Sequence, residues 1–122
     1  MKFLRCSHCG NIVEVVKDAG VPMMCCGQKM GELIAGTTDA AVEKHVPLYT
    51  VEGNIVTVNV GEVTHPMSEE HFIEWVAIET TAGVQRKAFV PTDKPVAQFA
   101  LADGETVTAV YAYCNLHSLW KA

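Results

Sequence analysis

"PLYTVEGNIVTVNV", residues 47–60, reads as two short strands folded back on each other at a Gly53-Asn54 turn. The same texture continues towards the C-terminus. "HFIEWVAIET" (71–80) is rich in aromatic and β-branched residues, and "TAG" (81–83) offers a turn into "VQRKAFV" (84–90). The segment from Pro91 to Pro95 is a loop, and "AQFAL" (97–101), an Ala-Asp-Gly turn at 102–104 and "ETVTAVYAY" (105–113) complete the series. Roughly seven short strands at this spacing predict an antiparallel β-sandwich of immunoglobulin type over residues 37–122.

Residues 1–36 differ. They hold four of the five cysteines, five of the nine glycines and only short apolar stretches such as "NIVEVV" (11–16). That is too little to bury a core, so a metal staple is expected there. "LIAGTTD" (33–39) reads as the connector, with Thr38 or Asp39 capping a short turn of helix through "AAVEK" (40–44). The fold class is mainly β: a small metal-stapled N-terminal module, then the sandwich.

The bulk properties narrow the function. Apolar residues at 49% suffice for a real core, and charged residues at 19% are too few for a disordered chain. A net charge of −5 with scattered Lys and Arg argues against nucleic acid and against an anionic membrane surface as partners. No long apolar span is present, and "MKFLRCSHCG" turns polar too early for a signal peptide, so a cytoplasmic protein is expected. In a reducing compartment, clustered cysteines read first as metal ligands or redox groups.

Cys6 and Cys9 bracket "SH", and Cys25 and Cys26 are adjacent; a glycine follows each pair. Four thiolates in tetrahedral array suit iron or zinc, and the glycines let backbone amides turn towards sulfur. Adjacent side chains in extended backbone point to opposite sides, so the chain must bend sharply between Cys25 and Cys26 if both are to reach one ion. A strained vicinal disulfide is the lesser reading. His8 is expected to be a bystander.

Every other histidine falls in the sandwich region, each beside the end of an element: His45, His65, His71 and His117. A lone histidine is usually a surface or core residue. Four at element ends, with Cys114 separated from His117 by two residues in "YCNLH" (113–117), point to a shared ion. Four imidazoles and one thiolate exceed zinc's usual four and favour iron, with a sixth position open to a small oxygen species. In "EKHVP", Lys44 beside that position would attract an anion, and Glu43 could reach it as a sixth ligand; taken alone, both read as a solvated helix end.

The motifs "CSHCGNIVEVV", "CCGQKM", "DAAVEKHVP", "HPMSEEHFIEW" and "YCNLHSLWKA" together resemble the desulfoferrodoxin family of superoxide reductases over essentially the whole chain. The resemblance is to the two-iron type, since all four N-terminal cysteines are kept. It implies a desulforedoxin-like module (1–36) with iron on Cys6, Cys9, Cys25 and Cys26. It also implies a catalytic iron on His45, His65, His71, His117 and axial Cys114. Lys44 would guide superoxide, and Glu43 would close the sixth position in the resting oxidised state. Superoxide would be reduced by one electron to hydrogen peroxide, with rubredoxin as the electron donor and a homodimer as the assembly. Two rivals remain at this point. An electron carrier of blue-copper type also places Cys-x-x-His near the end of a sandwich, but it uses two histidines and wants a following methionine that "SLWKA" lacks. A zinc ribbon fused to a protein-binding sandwich explains residues 1–30 alone.

Overall fold

The computed structural model describes residues 1–122. The chain divides into two compact units, Met1–Ile34 and Ala35–Ala122. In the first, β1 (Phe3–Arg5) pairs with β2 (Ile12–Glu14) and β5 (Gly31–Glu32), while β3 (Met24–Cys25) and β4 (Gln28–Lys29) form a separate hairpin. Its buried cluster is Leu4, Cys6 and Met30, with Val13, Val15 and Cys25 packed against it. Two of those six residues are cysteines, so apolar burial alone leaves this unit marginal.

The second unit is an immunoglobulin-like sandwich. A single turn of helix, α1 (Val42–His45), leads into β6 (Pro47–Glu52), β7 (Ile55–Val60), β8 (Ile73–Thr80), β9 (Gly83–Ala88), β10 (Val96–Ala100), β11 (Val107–Cys114) and β12 (Ser118–Lys121). All pairings are antiparallel, in a three-stranded sheet ordered β10-β7-β6 and a four-stranded sheet ordered β12-β11-β8-β9. Glu52 pairs with Ile55, and of the two turn residues only Gly53 takes positive φ (59°), which fits a type II′ turn. Period-two alternation sends Val56, Val58 and Val60 of β7 inward against Val76, Ile78, Val110 and Ala112 of the other sheet. Each fully buried valine or isoleucine among them contributes roughly 1.5–3 kcal/mol relative to exposure.

Two features depart from the sequence reading. The helix begins at Val42 after Ala41, with no side-chain cap, so neither Thr38 nor Asp39 caps it; the helix is only one turn long and starts too late for them. The chain also does not finish with the strand ending at 113. After Cys114 it turns through residues 115–117, with Ser118 at φ 66°, and returns as β12, pairing Cys114 with Ser118 and Tyr113 with Leu119. The short, mixed "SLWK" carries no strand periodicity of its own; pairing with β11 makes it one.

Antiparallel pairing puts the start of β6, the end of β7, the start of β8, the end of β11 and the start of β12 at one end of the sandwich. That end carries every histidine of this unit. A register shift there leaves Glu74 opposite no residue of β11: Tyr113 pairs with Trp75, but Cys114 pairs with Ile73. The bulge lets Ile73 point inward although Val76 and Ile78 already define the inner parity.

Candidate metal centres

Cys114 continues the inward row of Val110 and Ala112, so its sulfur emerges from the core itself and is wholly buried. Around it stand four imidazoles. Neighbouring ring centroids lie 4.6 Å apart for His45–His65, 4.6 Å for His65–His71, 5.0 Å for His71–His117 and 4.8 Å for His117–His45, all near-perpendicular. His45 and His71 face each other across the middle at 6.2 Å. The rings therefore run round a square in the order 45, 65, 71, 117.

The proton positions follow from the outer partners. His45 Nδ1 lies 2.7 Å from the Ala41 carbonyl oxygen, and His65 Nδ1 lies 2.7 Å from that of Pro66. A carbonyl oxygen only accepts, so both Nδ1 atoms donate and both Nε2 atoms carry lone pairs. Those two Nε2 atoms are 3.1 Å apart, with no proton between them. His117 Nδ1 lies 3.0 Å from His45 Nε2 and 3.8 Å from Cys114 Sγ. His71 Nε2 is buried with no hydrogen-bond partner. Converging lone pairs and an orphaned ring nitrogen are unfavourable until a cation sits among them. The spacing fits one: metal–imidazole bonds of about 2.0–2.1 Å place adjacent nitrogens of a square about 3.0 Å apart.

Electrostatics agree. Burial pushes His65 down to about 4, and burial is also the main cause lowering His45 and His71, so all three are neutral near pH 7, the form that can bind a metal. Burial raises the Cys114 thiol, while the amides of Leu116 and His117 act to lower it. A metal ion would tip that balance to thiolate.

Elements that the sequence reading did not single out hold these side chains. Gly61 has φ +88°, and a Cβ there would lie 2.6 Å from the Lys44 carbonyl oxygen. With the Val63 amide donating to the Glu43 carbonyl at 2.9 Å, this close approach fastens α1 to the loop carrying His65. An isolated glycine just past a strand was the available hint. Trp120 stacks on His45 at 4.9 Å and donates from Nε1 to the His117 carbonyl at 3.0 Å, bracing two rings with one indole. Nothing in the sequence marks it, because β12 was not read as a strand. Lys44 and Glu43 are exposed beside His45, and the Lys44 charge helps lower both His45 and His71.

In the first unit, the Sγ atoms of Cys6, Cys9, Cys25 and Cys26 all lie within 4.8 Å of one another. Cys9 and Cys25 are 3.6 Å apart, and Cys25 and Cys26 are 4.0 Å apart, with no disulfide. A tetrahedron with bonds of about 2.3 Å has edges of about 3.8 Å, so the set fits an ion. The sharp bend between the adjacent cysteines is present: Cys26 (φ 53°) and Gly27 (φ 73°) are the two positive-φ residues of a type I′ turn joining β3 to β4. The amides of Cys9 and Asn11 donate to the sulfurs of Cys6 and Cys9, both at 3.4 Å. Cys6 falls to about 6, chiefly through the Cys9 amide, whereas the Cys9 thiol is the main cause raising Cys26 to about 12. Four thiols this close cannot all ionise without a cation. His8 is exposed and outside the cluster.

Comparison with known proteins bears on which ion this is. The family described as desulfoferrodoxin matches residues 37–122, and that described as desulfoferrodoxin, N-terminal domain, matches 1–33. A desulfoferrodoxin homolog from Archaeoglobus fulgidus is 44% identical, covering 100% of this chain and 96% of the relative. The desulfoferrodoxin of Nitratidesulfovibrio vulgaris is 43% identical, covering 97% and 92%. The chain belongs to the desulfoferrodoxin family.

Among solved structures, the superoxide reductase from Treponema pallidum superposes with a TM-score of 0.82 at 36% identity, covering 98% of both chains. The one-iron superoxide reductase from Giardia intestinalis gives 0.56 at 32% identity, covering 66% of this chain and 95% of that one. For a member of the desulfoferrodoxin family, the two donor sets are consistent with two iron sites. Four converging imidazoles also leave no place for the two-histidine copper reading. No helix is long and apolar enough to cross a membrane.

Proposed function

We propose that this chain is a superoxide reductase, an oxidoreductase in which superoxide takes up one electron and two protons and leaves as hydrogen peroxide. The observation that carries the reading is the square of His45, His65, His71 and His117 above a buried Cys114. These five residues would hold iron, which would supply the electron and, with the Cys114 thiolate among its ligands, a binding site for a small oxygen species. The protein's own groups do the rest. Burial keeps the imidazoles neutral, the carbonyls of Ala41 and Pro66 fix which nitrogen faces inward, and the core below Cys114 excludes water from the sulfur.

Lys44 is the residue to draw the substrate in. Residues 35–122 carry eleven acidic and five basic side chains, so the sandwich repels an anion overall, and a local cation beside the histidines decides the approach. Lys44 also offers an ammonium to hold an ordered water as proton source. Glu43, one residue further back, would be the carboxylate that binds the ion in its oxidised resting state.

Residues 37–122 then form the catalytic domain. Residues 1–36 form the desulforedoxin-like module, a structural or auxiliary redox centre on Cys6, Cys9, Cys25 and Cys26. The electron donor is a rubredoxin-like protein, and the location is cytoplasmic. A homodimer is supported by β6, an edge strand that exposes Leu48 (48%), Tyr49 (40%) and Val51 (48%).

The test is product stoichiometry. Iron-loaded protein given a superoxide flux and a reductant is expected to yield one hydrogen peroxide per superoxide and no dioxygen. Half an equivalent of each product would mean dismutation, and no consumption would remove the reading altogether.

A further inference from the structure

We propose that Asn115 is a positioning residue that sets His71 against Cys114 and His117. The proposal rests on the reading of those three residues as metal ligands. His45 and His65 each have a backbone carbonyl holding the ring at Nδ1, whereas the His71 ring carries a buried, unpaired Nε2. Its aim is therefore set by its backbone. On one side, the His71 amide and carbonyl both bond Ser68, closing a tight turn. On the other, β8 starts only at Ile73, whose pairing with Cys114 is the last rung of the ladder.

Asn115 spans the gap. Its backbone amide donates to the Phe72 carbonyl at 3.2 Å, the Phe72 amide donates to Asn115 Oδ1 at 2.9 Å, and Asn115 Nδ2 donates to the Glu70 carbonyl at 3.0 Å. One side chain thus grips the residues immediately before and after His71, while its own backbone follows Cys114 directly. Acceptor and donor on a single short side chain are what asparagine supplies: aspartate lacks the donor, and glutamine is one methylene too long. Contacts that hold a metal-binding side chain in place are typically worth about 10- to 100-fold in metal affinity.

The experiment measures loss of iron to a chelator from each centre of the intact protein, with the four-cysteine iron as internal reference. Asn115→Ala is expected to speed release from the histidine centre about 10- to 100-fold and to shift the thiolate-to-iron charge-transfer absorption expected of Cys114 with oxidised iron, leaving the four-cysteine iron unchanged. Asn115→Asp keeps the acceptor for the Phe72 amide and is expected to fall between alanine and the parent; if the alanine variant is not recovered folded, Asn115→Asp decides on the same readouts. In a His71→Ala background, removing Asn115 is expected to change release by less than about twofold, because the residue it positions is gone. Parent-like release from Asn115→Ala overturns the proposal, as does equal acceleration at both centres or the same acceleration with and without His71. If His71→Ala itself leaves release unchanged, the ligand assignment fails and takes the positioning role with it.

Discussion

Replacing Gly61 by alanine tests how the fold sets the spacing of His45 and His65. Position 61 has φ +88°, where a residue with a Cβ costs about 1–2 kcal/mol. The added carbon would also sit 2.6 Å from the Lys44 carbonyl oxygen and 2.8 Å from its carbon, and closer still to the Val63 carbonyl oxygen. These are backbone atoms that no rotamer change can move, so overpacking adds about 1–3 kcal/mol. The expected loss is then about 2–5 kcal/mol, a large share of a typical domain's 5–15 kcal/mol. At about 4–8 °C per kcal/mol, the melting midpoint falls by at least about 8 °C. Both tryptophans, Trp75 and Trp120, lie in the sandwich, so fluorescence follows this unit alone. Gly53→Ala is the control: φ is also positive there (59°), but a Cβ would meet nothing within 4 Å, so the strain appears without the clash. Equal midpoint shifts for the two variants would refute the close approach. If Gly61→Ala fell by the expected amount yet held iron as firmly as the parent, the claim that this contact sets the ligand spacing would fail.

Three further outcomes are expected. Lys44→Ala should slow superoxide consumption about three- to tenfold at low salt and flatten its ionic-strength dependence, since a unit charge a few ångströms from the reacting site contributes about 1 kcal/mol in water; pulse radiolysis at two salt concentrations checks it, and unchanged rates at both would end the steering idea. Metal-free protein should lose stability as pH falls. Burial holds His65 near 4 against about 6.5 in an unfolded chain, so the unfolded state binds more protons between those values. The contribution, roughly 3 kcal/mol from His65, is fully present above pH 6.5 and is lost on approaching pH 4. Urea midpoints at pH 7.5, 5.5 and 4.5 measure it, and a flat profile would contradict the burial argument. Finally, Cys26→Ser should remove the N-terminal iron while superoxide consumption continues at close to the parent rate; a parallel loss of activity would make that centre part of catalysis.

Much of the sandwich was legible because β-strands write themselves at short range. The Gly53-Asn54 turn and the alternating valines of β7 carry their own periodicity, and "HFIEWVAIET" its β-branched and aromatic bias. β12 was not legible, since "SLWK" is a strand only by virtue of pairing with β11. Nor was the bulge at Glu74, which reverses the inner face between Val76 and Ile73. The absence of a capped helix at Thr38 or Asp39 has the same origin: α1 is one turn, and its stretch of chain is placed by Gly61 and the Val63 amide rather than by local propensity.

The candidate centres divide along the same line. Ligand chemistry is a property of residue type and local spacing, so the four cysteines, the histidines at element ends and Cys114 could be chosen from the sequence by itself. Even the bend between Cys25 and Cys26 followed from local geometry, because two adjacent side chains reach one point only through a turn. The tertiary structure decided the rest. It set the order of the rings round the square, put the proton of His45 and His65 on Nδ1 through the Ala41 and Pro66 carbonyls, and brought Trp120 and Asn115 against ligands far from them in the chain. The Trp120–His45 stack and the Asn115 bonds cross some 40 to 75 residues of sequence. No local pattern encodes them; they exist only once two antiparallel sheets have closed on a common core and delivered five element ends to the same edge.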